Sequence, residues 1–182
     1  MRPERQGKNK MNIRPAEKAD MPALCALYAE GRRFMAAHGN AAQWRGGYPQ
    51  RAVLESDMRE RRLYLCGENG ALCAAFVFYM GPEPAYEALD GAWLCTGPYG
   101  VVHRLCSPGR MRGAATECLR FCMRQCESLR IDTHENNAPM RGLLRKLGFV
   151  QCGTVHLADG SPRLAFERVC AAPFACPPPG VL

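Results

Sequence analysis

The residues best suited to chemistry lie in segment 104–116, which reads RLCSPGRMRGAAT. An apolar run before it predicts a strand, and Pro108-Gly109 predicts a turn. Small residues at 113–115 then open a predicted helix and let a ligand come close to the backbone. The first N–H groups of a helix have no internal partner, and the helix dipole favours an anion there. The segment therefore predicts a phosphate site, to which Arg110 and Arg112 add positive charge.

A second pattern follows the predicted helix. Residues 129–133 predict a strand, and an Asn-rich break that includes Asn137 comes next. The spacing of apolar residues predicts a short amphipathic helix over 138–146, which Gly148 ends. Another predicted strand occupies 149–156.

Together these two patterns resemble the GNAT superfamily of acyltransferases. Arg110-x-x-Gly113-x-Ala115 is similar to its coenzyme A signature, and Asn137 stands at the matching distance before Gly148-Phe149. The resemblance spans roughly residues 11–169 and is strongest with a bacterial subgroup of small GNATs that has no settled acceptor. It implies one α/β (α+β) domain, whose mixed, mostly antiparallel sheet is flanked by helices and splayed between the strands at 99–106 and 129–133.

The resemblance also implies the reaction and its co-substrate. An acceptor amine attacks acetyl-CoA directly in a ternary complex, without a metal, and backbone N–H groups near Leu105 polarise the thioester carbonyl. A non-catalytic acyl-CoA-binding or sensing module with the same fold is the alternative. The residues expected to bind the cofactor are Leu105, Cys106, Arg110, Met111, Arg112, Gly113, Ala114, Ala115, Thr116 and Asn137.

Two residues are candidates for proton transfer. Tyr99 stands where several relatives carry a Glu or His base, and His103 follows on the same strand face. Histidine ordinarily titrates near neutrality, which suits a base, although His103 is also compatible with a buried residue bonded within the sheet. The tyrosine that many relatives use as the acid is replaced here by Leu144. His134 and the residue after it are further candidates, or they form a turn that caps the next helix.

The acceptor site is expected beneath loop 39–50. Its substrate-binding candidates are Trp44 and Tyr48, with Tyr86 and Trp93 as further aromatic residues that equally suit simple packing. The resemblance implies a small-molecule or peptide amine as acceptor. Arg104 is expected to pair with a carboxylate or a carbonyl, Asp132 is expected to be structural, and Cys106 invites a covalent acyl-enzyme that GNAT enzymes generally do not form.

Length and composition agree with one globular domain. The chain has 182 residues, 47% of them apolar, and a net charge of +7. No apolar run approaches the roughly 18 residues of a membrane span, and no signal peptide is evident, which predicts a cytoplasmic protein without a membrane partner. The charge would suit nucleic acid, but no binding motif accompanies it, and a monomer or homodimer is expected. Residues 1–10 read as a flexible arm or vector sequence, 11–169 as the domain, and 170–182 as a disordered tail.

The eleven cysteines are an odd number and include no C-x-x-C pair, so we expect reduced thiols. Cys118, Cys122 and Cys126 form one stripe of the helix predicted over 113–127, which favours core packing over a metal site. Asp20 is the expected N-cap of the first helix. The other predicted strands are 11–15, 62–67, 71–79 and 162–169, and the other predicted helices are 19–38 and 51–60.

Overall fold

The computed structural model describes residues 11–170, so the predictions for residues 1–10 and for the tail from 171 lie outside the described part. Within residues 11–170, eight strands form one sheet: β1 (Asn12–Pro15), β2 (Leu63–Glu68), β3 (Ala71–Met80), β4 (Asp90–Gly91), β5 (Gly100–Cys106), β6 (Ser128–Thr133), β7 (Val150–His156) and β8 (Pro162–Val169). The same part of the chain forms four α-helices: α1 (Met21–Ala37), α2 (Arg51–Arg59), α3 (Ala114–Met123) and α4 (Ala138–Lys146). Short 3₁₀ turns occupy Lys18–Asp20, Arg45–Gly47 and Pro84–Tyr86.

The sheet has the strand order β1-β2-β3-β5-β6-β8-β7-β4. Neighbouring strands are antiparallel except β5 and β6, which run parallel. That parallel pairing joins Gly100–Val102 to Leu129–Ile131 and stops before the C-terminal ends of the two strands. The predicted fold class and the predicted place of the splay are therefore confirmed.

Helices cover both faces of the sheet. Leu24, Leu27 and Tyr28 of α1 are buried on one face together with Leu54 of α2. On the other face, α3 and α4 contribute Cys118, Leu119, Cys122 and Leu144 to a larger core that also includes Cys126. Burial of a leucine contributes roughly 1.5–3 kcal/mol, so these apolar stripes hold the helices to the sheet.

Three local features differ from the sequence prediction. The helix predicted over 113–127 ends at Met123, because Gln125 N–H bonds back to Cys122 and the chain turns into β6. Asp20 does precede α1, but its carboxylate accepts hydrogen bonds from Arg14 and from the Glu17 N–H instead of capping that helix. Segment 80–98, for which the sequence predicted no strand, contains the short strand β4, which pairs with β7.

Helix α1 packs closely against strand β5. Gly31 lies directly against Cys106, and a Cβ at position 31 would collide with the Sγ atom. Tyr28, fully buried one turn earlier, donates a 2.9 Å hydrogen bond to the carbonyl of Arg104. Helix α1 therefore lies against the part of β5 where the sheet opens.

Candidate active site

The opening between β5 and β6 leads to two cavities that meet. The larger, which we call the central cavity, has a volume of about 400 Å³ and is lined by residues such as Tyr48, Glu83, His103, Asp132 and Arg163. The smaller, which we call the side channel, has about 130 Å³ and is lined mainly by apolar residues and the turn after β5. Five residues line both of them: Met35, Trp44, Leu105, Asn137 and Met140.

His103 lies in the wall of the central cavity between two carboxylates. Its Nε2 is 3.1 Å from Oε2 of Glu83, and its Nδ1 is 3.5 Å from Oδ1 of Asp132. Tyr86 donates a 2.8 Å hydrogen bond to the same Asp132 oxygen. The imidazole is thus oriented by groups from the loop after β3 and from β6, while part of it stays open to the cavity.

Glu83 contacts His103 but was not among the site residues predicted from the sequence. Its pKa falls to about 2, first because of the hydrogen bond with His103 and then because Tyr79 and the Ala85 N–H also donate to it, although burial opposes the shift. Burial and the contact with this carboxylate raise the pKa of Tyr79. Glu83 is therefore a stable anion beside the imidazole.

Tyr99, the residue before β5, does not lie in the wall of the central cavity, where a base would have to act. Its hydroxyl accepts a hydrogen bond from the Glu83 N–H at 3.1 Å, and its ring lies against the guanidinium of Arg130. It lines neither cavity. Tyr99 thus holds the backbone of Glu83 on the side away from the cavity, whereas His103 faces the cavity.

A bulge in β5 follows His103. Val77 pairs with His103 and Ala75 with Cys106, so two residues of β5 stand opposite one of β3. Arg104, within the bulge, has a φ of 53°, a left-handed conformation that is uncommon for a residue other than glycine. The backbone of Arg104 and Leu105 is thereby turned out of the regular ladder at the point where the two cavities meet.

The side chain of Arg104 is held by partners on other elements. Two hydrogen bonds, of 2.7 and 2.9 Å, join it to Asp57 of α2, and a third, of 2.7 Å, joins it to the Tyr48 hydroxyl. Burial raises the pKa of Asp57 in spite of the opposing charge of Arg104. The predicted pairing of Arg104 with a carboxylate is confirmed. Tyr48, which bonds to Arg104, also lines the central cavity.

Asn137 stands at the junction of the cavities and begins α4. Its Oδ1 accepts a hydrogen bond from the Met140 N–H at 3.2 Å, and its Nδ2 donates to Gln43 at 2.9 Å. Gln43 also accepts from Asn40 in the loop that carries Trp44. The side chain of Asn137 therefore ties this loop to the start of α4, with Trp44 packed edge-on against Tyr28.

The turn after β5 leaves a helix start open to a ligand. Gly113 precedes α3 with a φ of 93° and carries no capping side chain, and a Cβ built on it would meet nothing within 4 Å. The Ala115 and Thr116 N–H groups donate to no acceptor among residues 11–170. Arg110 forms an exposed ion pair with Glu30, while Arg112 is exposed. These features fit the phosphates of coenzyme A, and Ala115 also lines the side channel.

Other candidates lie away from the open cavities. Leu144 is fully buried in the core, and Tyr86 and Trp93 pack against each other and do not line the central cavity. Cys106 touches the side channel, but its thiol donates to the Leu27 carbonyl, and burial raises its pKa to about 12. His134 accepts a hydrogen bond from the Asn136 N–H in the turn before α4.

Within residues 11–170, no group of three His, Cys, Asp or Glu side chains is placed to hold a metal ion. In the same part of the chain, no helix is both long and apolar enough to cross a bilayer.

Comparison with solved structures identifies the family. A GNAT family acetyltransferase from Streptococcus agalactiae is 32% identical, with a TM-score of 0.80, and the match covers 88% of this chain and 96% of that one. The chain belongs to the GNAT family of acetyltransferases. This membership confirms the predicted enzyme class, an acyltransferase.

Less similar structures share the fold of this GNAT protein. One is a GNAT family acetyltransferase from Listeria monocytogenes, at 18% identity and a TM-score of 0.67, covering 90% of this chain and 96% of that one. Another, from Salmonella typhimurium, was solved with its cofactor acetyl-CoA; it has 20% identity, a TM-score of 0.59, and coverage of 92% and 100%. No protein-family model matches the sequence, and a search of curated proteins finds no match.

Proposed function

We propose that the protein transfers an acetyl group from acetyl-CoA to an amine, with the acceptor in the central cavity and the pantetheine arm in the side channel. The observation that carries this proposal is the meeting of the two cavities at Leu105, Asn137 and Met140, beside the bulge in β5. An acceptor and a thioester that enter from opposite sides can touch only there. The Salmonella structure, which shares the fold and holds acetyl-CoA, supports the choice of co-substrate.

The cofactor-binding role is assigned to the turn and helix start described above. The free N–H groups of Ala115 and Thr116, with Gly113 leaving the approach open, suit a pyrophosphate. Arg110 and Arg112 add positive charge at the surface. Asn137 lines the side channel, where it would contact the amide groups of the pantetheine arm.

When bound, acetyl-CoA supplies an activated thioester. The backbone N–H of Leu105, in the bulge, and that of Cys106, the next residue, would stabilise the negative charge that develops on the carbonyl oxygen. His103 accepts a proton from the attacking amine, and Glu83 and Asp132 stabilise the resulting imidazolium. The thiolate leaves without a tyrosine at position 144, which is acceptable because a thiolate is a good leaving group.

The first experiment measures acetyl-CoA binding and CoA release together. At about 100 times Kd, binding stabilises a protein by roughly 2.7 kcal/mol, so the wild type should melt several degrees higher with acetyl-CoA. Gly113→Glu should lose this shift, because it places a carboxylate and a strained backbone at the helix start. Gly160→Glu is a matched control, since Gly160 also has a positive φ, of 78°, but lines neither cavity.

CoA release with a panel of amines then separates the proposal from its alternative. Release that depends on an added amine supports acetyl transfer. A thermal shift that no amine converts into CoA release would instead favour a non-catalytic acyl-CoA-binding module. Absence of any shift in a folded wild type would contradict both.

A further inference from the structure

Arg163 is a nearly buried arginine in the wall of the central cavity. It is 7% exposed, and one Nη donates a 2.8 Å hydrogen bond to the carbonyl of the adjacent Pro162. The remaining guanidinium donors have no acceptor within residues 11–170, and no carboxylate there lies within 4 Å. These nitrogen atoms are not sealed in the core, because Asn40 Oδ1 is the one buried side-chain polar atom without a partner among residues 11–170, so they stay open to an anionic group in the cavity.

The other arginines of the same cavity have their charge matched. Arg104 is bonded to Asp57 through two hydrogen bonds. Arg62 forms an ion pair with Glu60 at 2.9 Å and lies over the Tyr79 ring. Near Arg163, the carboxylate of Asp159 accepts instead from the N–H and hydroxyl of Ser161, at 2.9 and 2.5 Å. Arg163 thus differs from Arg104 and Arg62 in having no carboxylate within 4 Å among residues 11–170.

The position of Arg163 relates it to the proposed reaction centre. In the β6–β8 pair, Asp132 stands opposite Ala165, and Arg163 is two residues earlier on β8. Cross-strand partners and residues two apart share one face of a sheet, so Asp132 and Arg163 project from the same face. Their backbone positions differ by about two residues along the strand direction, or roughly 7 Å. A small molecule can therefore contact both Asp132 and Arg163.

We infer that the acceptor is an amine that also carries an anionic group, a carboxylate or a phosphonate-like oxyanion, which pairs with Arg163 while the amine lies at His103. This inference rests on the proposed function and gives its substrate class. The carboxylates of Glu83 and Asp132 attract an ammonium group at one end of the cavity, and Arg163 attracts the anion at the other. The planar guanidinium fits a carboxylate through two parallel hydrogen bonds.

The test compares matched acceptors on wild type and Arg163→Met. The probes are β-alanine and 4-aminobutanoic acid, the amide of each, 3-aminopropylphosphonic acid and 1,4-diaminobutane. The readout is the ratio of kcat/KM for each acid to that for its amide, so that differences in amine basicity cancel between enzyme variants. We expect this ratio to fall about 10- to 100-fold in Arg163→Met, the loss typical of a charge-assisted hydrogen bond. The phosphonate distinguishes a site for any oxyanion from one that requires a planar carboxylate.

Two further variants make the result specific. Arg163→Lys should retain part of the preference for acids, because it keeps the charge but loses the planar fork. Arg62→Met, in the same cavity, should leave the ratio as in the wild type. A ratio unchanged in Arg163→Met, or lowered equally in Arg62→Met, would overturn the inference. If Arg163→Met fails to fold, competition on the wild type decides: butanoate must inhibit acetylation of the amides, and butanamide must not.

Calorimetric titration of the acids in the presence of CoA separates this inference from the proposed function. Acetylation of amides and acids with no dependence on Arg163 would overturn the anion site alone. Acids that bind through Arg163 but are never acetylated would overturn the proposed acetyl transfer alone. Neither binding nor turnover of any probe would overturn both.

Discussion

Asp57 holds the side chain of Arg104 through two hydrogen bonds of 2.7 and 2.9 Å, although 47 residues separate them along the chain. The pair joins α2 to the one residue of the β5 bulge that has a positive φ. It thereby helps to maintain a strained backbone at the point where the two cavities meet.

Loss of the Asp57 carboxylate should be costly. Asp57→Asn leaves the buried Arg104 charge without its partner, for which a cost of about 3–5 kcal/mol is expected in urea unfolding. Glu55→Gln on the same helix breaks the exposed pair with Arg51 and should cost less than about 0.5 kcal/mol. Equal, small effects of both changes would show that the bulge does not depend on this pair.

Removal of the proposed base should lower the rate without weakening cofactor binding. We expect His103→Gln to reduce CoA release about 10²- to 10⁴-fold, because proton transfer from the amine loses its acceptor. The thermal shift with acetyl-CoA should stay as in the wild type. His156→Gln changes an exposed histidine on β7 and should leave both properties alone. A His103→Gln enzyme within threefold of the wild-type rate would reject this residue as the base.

The Glu83 carboxylate should make stability depend on acid pH. Its pKa is about 2 in the folded protein, against an ordinary value of 4.5. Its contribution, roughly 3 kcal/mol, is complete above pH 4.5 and disappears as pH falls through 2. The free energy of unfolding should therefore differ between wild type and Glu83→Gln by about 2 kcal/mol more at pH 6 than at pH 3. A difference that does not change over this range would contradict the pKa shift, and Glu87→Gln, in an exposed position nearby, is the control.

Leu144, which stands where many relatives carry the acid, should behave as a core residue. It is fully buried, so Leu144→Ala removes packed methyl groups and should cost about 2–5 kcal/mol in chemical unfolding. Leu94 is 48% exposed, and Leu94→Ala should cost less than about 1 kcal/mol. The activity of the folded fraction of Leu144→Ala is expected to stay near that of the wild type. Loss of activity in a variant that remains folded would argue for a direct role in the site.

Cys106 should not carry the acetyl group. Its pKa of about 12 keeps the thiol protonated at neutral pH, and only a thiolate is an effective nucleophile. Intact-mass analysis after incubation with acetyl-CoA alone should show no adduct at Cys106, and Cys106→Ala should retain amine-dependent CoA release. Exposed Cys25 serves as the control, since it should react first with an alkylating reagent. An acetyl thioester at Cys106 would replace direct transfer with a two-step mechanism.

Local sequence patterns were enough to locate the elements that form the proposed cofactor site. The prediction of a helix over 138–146 is confirmed at both ends, because Asn137 and Pro139 start it and Gly148 follows its end. The turn with Gly109 and Gly113 was equally visible, since small residues before a helix are a local signal for an open helix start. These features depend on residues that are close together in the sequence.

Only the tertiary structure decided which groups surround His103. Glu83 lies 20 residues earlier in an irregular loop, and Asp132 lies on the neighbouring parallel strand. The bulge at Arg104 was equally hidden, because an arginine gives no local sign of a positive φ. Strand pairing and loop packing bring such residues together, and these long-range contacts leave no periodic trace in the sequence. The order of the elements and the open helix start after Gly113 follow from local physics, whereas the central cavity and the position of Arg163 in its wall exist only in the folded chain.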